Sequence, residues 1–262
     1  MFMFNFKNPK NPYRKKGKDY RLSENSKLTG ADFGYTRKLA SQIYKIMQLI
    51  QNESCKNDTY TRFSKVLYKV VRNDQVHELG KLQLGYGNVA PLKGFRFFKK
   101  RNWHNFFMNK PTAELDIEKG AIRFAIPPIF AREFNKFPER TRKVIIKMHC
   151  IQVSVGDENI VELNSSKELM ITEVDNINSR SVYFAIKERA NVVALCVATV
   201  RVWLESVNSK EEFLSFDSKF MTAEIFDALV IRDGQLCHFE EQKFSDMKPP
   251  EFPDSDEEID WV

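Results

Sequence analysis

The strongest constraint on the fold is a succession of short apolar segments with a two-residue period, which fills residues 112–239. Ala113–Ile117 and Ile122–Ile126 alternate apolar and polar side chains on either side of Lys119-Gly120, a pattern typical of a β-hairpin. Similar segments follow with turns between them, so about seven to nine strands are predicted. Such a series favours an antiparallel β-sandwich over an α/β enzyme scaffold. The other predicted strands are Val144–Val155, Ile160–Leu163, Leu169–Val174, Val182–Lys187, Val192–Leu204, Ala223–Ile231 and Leu236–Phe239.

One of these segments carries a further prediction. Val192–Val200 is almost entirely apolar, which is typical of a strand buried on both sides. A central position between packed layers is therefore expected for it. Ser209–Phe220 is ambiguous, and its pattern fits a short helix or a loop.

The segment before the strands has a helical period. Apolar residues recur at three and four positions from Ala31 to about Asn52–Lys56, and again from Asp58, a plausible N-cap. The short connection predicts an antiparallel helical hairpin. Both outer faces are basic, which indicates either a solvated surface or a contact with an acidic partner, and amphipathic logic favours the solvated surface.

These patterns divide the chain into four parts. We predict a basic N-terminal arm at residues 1–30, the helical hairpin with a linker at 31–91, the β-sandwich at 92–246 and an acidic C-terminal tail at 247–262. The fold class is thus mostly β with a small α part. The formal net charge is +6, and its uneven distribution between the two ends is typical of interaction arms or of solvated termini.

Residues 92–110 interleave cations with aromatic rings and contain no acidic residue. This composition suits a nucleic-acid or acidic-partner surface, with cations for phosphate and rings for stacking. It suits equally a strand pair whose aromatics face a core while its cations face water. The candidate contact residues, in this stretch and in the arm, are Arg14, Lys15, Lys16, Lys18, Arg96, Lys99, Lys100, Arg101 and Trp103.

The acidic tail holds a possible docking peptide. Pro249–Pro253 is proline-stiffened, and Phe252 and Trp261 are apolar anchors among carboxylates. The alternative is a frayed, solvated tail.

No pattern of residues indicates catalysis. His149-Cys150 and Cys237-His238 lie in predicted strands, where adjacent side chains point to opposite faces. Neither pair can give both side chains to one metal ion without distortion, although two strands could supply one ligand each, and the same geometry argues against a Cys–His nucleophile. Glu114 and Asp116 share a strand face, but solvated charges are the favoured interpretation. The sequence predicts no catalytic residue, no cofactor and no metal site. Without a secretory signal or a membrane-length apolar run, a cytoplasmic protein with no membrane partner is expected.

One resemblance is carried by Glu24-Asn25, Phe33-Gly34, Arg62, Val71–Asp74 and Leu92–Phe95. In their order these motifs resemble a family of uncharacterised Bacteroidetes proteins of similar length. The resemblance implies a helical N-terminal part and a β-sandwich-like C-terminal part. It carries over no activity and no site, and it favours a non-enzymatic role.

Together these observations predict a non-enzymatic structural or assembly subunit that acts through protein–protein contacts, with itself or with another protein as partner. The alternative is a nucleic-acid-binding protein that uses the basic arm and residues 92–110.

Overall fold

The computed structural model describes residues 22–51, 57–99, 101–156, 160–172, 176–186 and 191–239. Two α-helices come first, α1 at Glu24–Gln51 and α2 at Asn57–Arg72. The strands of the described part are β1 Thr112–Asp116, β2 Ala121–Ile126, β3 Thr141–Ser154, β4 Val161–Ser165, β5 Leu169–Ile171, β6 Arg180–Ala185, β7 Val192–Glu205, β8 Glu212–Leu214, β9 Thr222–Arg232 and β10 Gln235–Leu236. The predicted class, N-terminal helices followed by antiparallel sheets, is confirmed.

The strands form two antiparallel sheets. The larger one has the order β10-β9-β7-β3-β4, with β5 added beside β3 and β8 beside β7. Its central strands β3 and β7 are 14 residues long and pair along their whole length, with Cys150 opposite Cys196. The smaller sheet has the order β1-β2-β6. The predicted hairpin at Lys119-Gly120 is the connection between the paired strands β1 and β2. Gly120 has a positive φ of 55° in this turn, a conformation that glycine adopts readily.

The larger sheet is covered on both faces. On one face, the smaller sheet contributes Ile122 and Phe124 to a core shared with Val144, Ile146 and Cys196. On the other face, α1 and α2 pack onto alternate residues of the same strands, a second core made of Leu39, Ile43, Met47, Phe63, Leu67, Val153, Val193, Leu195 and Ile225, among others. Residues 192–200 of β7 are all buried, so the predicted central position of this strand is confirmed.

Helix α1 begins earlier than the sequence pattern indicates. The prediction places its start at Ala31, with residues 1–30 in the arm, whereas α1 starts at Glu24. The Ser23 hydroxyl accepts a hydrogen bond from the Ser26 backbone N–H at 3.3 Å, which satisfies one of the free donors of the first turn. The arm therefore ends at or before Ser23.

The linker between α2 and Pro91 is held by two buried carboxylates. Asp32 of α1 accepts hydrogen bonds from Gly80 N (2.9 Å) and Leu82 N (3.1 Å). Asp74 accepts from Gln83 N at 2.8 Å, as well as from residues 76 and 77. Although burial raises its pKa, these hydrogen bonds lower the pKa of Asp74 below its ordinary value.

The aromatic residues of the stretch 92–110 face the core. Phe95, Phe97, Trp103, Phe106 and Phe107 are all buried. Residues 94–97 run along the outer edge of β9, where Phe97 N donates to Ala223 O at 3.0 Å. The arrangement is therefore one of core-facing aromatic rings with solvent-facing cations. The segment is a short bridge to β9 followed by turns, and it is not a strand pair.

Candidate interaction surface

The outward side of the helical hairpin carries many more cations than carboxylates. Residues 33–51 and 59–73 contain seven cations and no acidic residue. Six of the seven side chains are exposed, because the apolar stripes of α1 and α2 turn the polar positions away from the sheet. They are Arg37, Lys38, Lys45, Lys65, Lys69 and Arg72.

A row of aromatic rings lies between the two helices on this surface. Phe33 of α1 meets Tyr68 of α2 edge-on, with 5.7 Å between the ring centroids. Tyr44 and Tyr60 make the equivalent contact further along the hairpin at 5.4 Å. The Arg37 guanidinium bridges the two pairs, 5.2 Å from the Phe33 ring and 5.4 Å from the Tyr60 ring. We call the seven cations and these four rings the basic face.

The charge of the basic face is poorly compensated. Within the part of the chain that the structure describes, Arg62 is the one cation of the seven with an ion pair, 3.9 Å from Asp58. Phe33 keeps 47% of its surface exposed although it lies beside the core. Exposed like charges and an open aromatic ring together suit an acidic partner that also carries apolar or aromatic groups.

The basic stretch 92–110 adjoins the basic face at the start of α2. Arg62 donates to Arg96 O at 2.9 Å and to Phe97 O at 3.1 Å, and it lies over the Phe95 ring. Lys99 forms an ion pair with Asp58 at 2.6 Å, and its side chain is 61% exposed. Two regions that the sequence shows separately therefore meet on one side of the molecule.

The predicted contact residues have different outcomes. Arg96 and Lys99 are exposed and Arg101 is partly exposed, so these three remain available for contact. Trp103 is not available for contact, and the prediction that it contacts a partner is wrong. It is 1% exposed, its backbone N–H donates to the buried Glu224 carboxylate at 3.0 Å, and its indole N–H donates to Asn109 O at 2.6 Å. The candidates that lie outside the described residues are Arg14, Lys15, Lys16, Lys18, Lys100, Phe252 and Trp261.

A small pocket of about 190 Å³ opens where α1 ends over the larger sheet. Its walls include Leu49 and Ile50 of α1, and its floor includes His149, Lys147 and Arg201. Arg201 donates to Ile50 O at 3.0 Å, which places a cation at the negative end of the helix dipole. The pocket thus lies between the C-terminal end of α1 and the larger sheet, at the edge of the helical layer.

His149 is held neutral in this pocket. It is 3% exposed, and its Nδ1 and Nε2 are 2.8 Å from Ser165 Oγ and 3.2 Å from Thr199 Oγ1. Burial, followed by the positive charges of Lys147 and Arg201, lowers the pKa of His149 to about 3. An imidazole with this pKa is neutral at physiological pH. Its role is therefore to form structural hydrogen bonds rather than to transfer protons.

The neighbouring cysteine faces the opposite core, as the strand geometry predicts. Cys150 packs between the two sheets, and burial raises the pKa of its thiol to about 12, so it is not an activated nucleophile. Among the residues that the structure describes, no group of three or more His, Cys, Asp or Glu side chains is placed to hold a metal ion.

The basic face shows what the sequence reasoning missed. The prediction noted the basic outer faces of both helices, but not the aromatic row that joins them. The available signal was the position of Phe33, Tyr44, Tyr60 and Tyr68 at one edge of each apolar stripe. Which edges meet depends on the packing of the hairpin.

Neither helix in the described ranges combines the length and the apolar content needed to cross a membrane. No protein-family model, curated protein or solved structure matches this chain, so its resemblance to the Bacteroidetes family stays a prediction.

Proposed function

We propose that this chain is a non-enzymatic assembly subunit that acts through protein–protein contacts, with the basic face as its contact surface. The observation that carries the proposal is the arrangement of seven cations, only Arg62 of them in an ion pair among the described residues, around a row of aromatic rings that ends in the exposed Phe33. A surface of this kind repels itself and attracts an acidic partner, and the attraction fixes the partner's orientation and speeds its association.

Light scattering on the nuclease-treated protein tests the proposal. At low salt we expect a mass above that of a single chain, and the double variant Lys65→Glu/Lys69→Glu should return it to the single-chain mass. Both lysines are exposed, so the fold tolerates the change. The matched control is Lys167→Glu/Lys210→Glu, which makes the same charge change at two exposed positions in the strand region. If the control dissociates the assembly as fully as the face variant does, net charge rather than the basic face is responsible.

Nucleic-acid binding is the second candidate function. It is favoured by the meeting of the basic face with the exposed Arg96 and the partly exposed Arg101, which extends the positive surface beyond the hairpin. Phosphate contacts release counterions, so such binding weakens steeply as salt rises. A protein that carries nucleic acid at low salt, sheds it at high salt and has the mass of a single chain after nuclease treatment would favour this second function over assembly.

A further inference from the structure

We propose that the occupant of the basic face is the acidic tail, residues 247–262, of a second copy of this chain, so that the subunits associate head to tail. This inference rests on the proposed function and names its partner. A contact between two different surfaces of one chain is heterologous, and it yields rings or open filaments depending on the rotation between subunits.

The first argument is charge complementarity. Residues 251–262 contain six carboxylates and no cation, while the two helical segments of the basic face contain seven cations and no carboxylate. At the ionic strength of a cell such fields act over about 8 Å, so the attraction steers and aligns the two surfaces at short range. Single surface ion pairs contribute little, but a run of carboxylates on a run of cations adds several weak contacts along one line.

The second argument is the match between aromatic groups. Phe252 and Trp261 lie at either end of the acidic run. On the basic face, the half-exposed Phe33 ring and the exposed Arg37 guanidinium offer flat surfaces for an aromatic side chain. Aromatic anchors flanked by carboxylates thus meet rings flanked by cations.

The third argument is length. An extended chain from Phe252 to Trp261 spans about 30 Å at roughly 3.3 Å per residue. Residues 33–51 of α1 span about 27 Å at 1.5 Å per residue. The acidic run is therefore as long as the surface that it is proposed to cover.

The tail also has the reach to engage a neighbour. The last residue described before it, Phe239, packs against the core on the hairpin side of the larger sheet. Residues 240–262 can extend for up to about 75 Å from that point. This length also permits docking of the tail onto its own chain, and the experiment distinguishes the two arrangements.

A complementation experiment tests the inference on the full chain. The face variant is Lys65→Glu/Lys69→Glu, which keeps the tail. The tail variant is Asp256→Asn/Glu257→Gln/Glu258→Gln, which keeps the face. We expect the wild-type chain to associate, each variant alone to sediment as a monomer, and an equimolar mixture of the two to sediment as a dimer. In that dimer the intact tail of the face variant occupies the intact face of the tail variant.

Each other outcome overturns the inference in a distinguishable way. If the tail variant associates like the wild type while the face variant does not, the tail is not the occupant of the basic face, and the proposed assembly function survives. If both variants associate like the wild type, neither the tail nor the basic face makes the contact, and both proposals fail. If the wild type associates and the mixture stays monomeric, the two surfaces are not partners of one another. A wild type that is monomeric at all concentrations excludes a second copy as the occupant, and it removes the assembly function as well. Circular dichroism checks that the variants fold, and Lys65→Gln/Lys69→Gln repeats the test without introducing a negative charge.

Discussion

The two layers that cover the larger sheet have similar inner sides and different outer sides. Each contributes a close-packed apolar core, with Phe63 fully buried under the helices and Phe124 fully buried under the smaller sheet. On the outer side of the smaller sheet, cations and carboxylates alternate and pair. Arg123 lies 2.9 Å from Glu114, and Lys119 lies 3.5 Å from Asp116. On the basic face the cations have few carboxylates beside them.

This contrast shows that the net charge of +6 is distributed unevenly over the surface. Paired charges on a strand surface favour solubility and contribute little to stability. In the described part of the helical layer, the exposed cations have few carboxylates near them, and their mutual repulsion costs some stability. The excess of cations on the helical layer is the physical reason to assign the interaction to the helices.

The largest expected change in the free energy of unfolding comes from a substitution on the inner side of the helical layer. A Cβ atom added at Gly87 would lie 1.9 Å from Val70 O of α2, far inside the contact distance of two atoms. Gly87→Ala should therefore push the linker away from α2 and lower the free energy of unfolding by about 3 kcal/mol, at the upper end of overpacking costs. Denaturant unfolding measures this difference.

The matched control lies on the outer side of the same layer. A Cβ atom at Gly34 of α1 meets nothing within 4 Å. Because alanine restricts the unfolded chain and favours a helix, Gly34→Ala should raise the free energy of unfolding by about 0.5–1 kcal/mol. Equal effects of the two substitutions would contradict the close approach of Gly87 to α2.

An intermediate effect on stability is expected from His149, in the pocket at the end of the helical layer. Since the pKa of His149 is about 3 in the folded protein and about 6.5 when unfolded, only the unfolded chain gains a proton between these values. Stability is therefore full above pH 6.5 and falls as the pH drops toward 3. From pH 6.5 to pH 5 the loss from His149 should be about 1.5 kcal/mol.

His149→Gln, which keeps hydrogen-bonding groups but has no proton to gain, should remove this pH dependence. The exposed His104→Gln, which makes the same substitution away from the pocket, serves as the control. Urea unfolding at several pH values between 5 and 7 provides the measurement. A slope that persists in the His149 variant would mean that another group is responsible.

Much of this fold follows from local patterns in the sequence. The period of two predicts the strands, the period of three and four predicts the hairpin, and the run Val192–Val200 predicts its own central position. The alternation of side chains along β3 also separates His149 from Cys150 correctly. All of these depend on residues that are close together in the chain.

The errors arise where distant residues decide the outcome. Trp103 looks like a surface ring beside cations, but Glu224, far along the sequence, binds its backbone and holds it in the core. The basic face requires Phe33 to meet Tyr68, which depends on how α1 and α2 pack. The periodic pattern predicts a later start for α1 than the structure has, because the Ser23 hydroxyl caps the helix through a single side chain, which a periodic pattern does not contain.

The smallest expected changes in the free energy of unfolding have opposite signs on the basic face and on the outer side of the smaller sheet. Lys65 and Lys69 are four residues apart on one exposed face of α2, where like charges are destabilising by about 0.2–0.5 kcal/mol. Lys65→Glu replaces this repulsion with an attraction and should raise the free energy of unfolding by about 0.5 kcal/mol at low salt. Arg123→Ala, which breaks the pair with Glu114 on the smaller sheet, should lower it by about 0.5 kcal/mol or less.

Denaturant unfolding at low and high salt separates the two surfaces, because screening should bring both differences toward zero. A destabilising effect of Lys65→Glu at low salt would mean that the basic face is already compensated and would weaken its assignment as a contact surface. A stabilising effect, combined with the loss of association in the double variant that contains the same substitution, would show that this part of the basic face costs the folded chain stability and is required for binding. No purely structural role explains that combination, since a residue kept for the fold does not lower the stability of the fold.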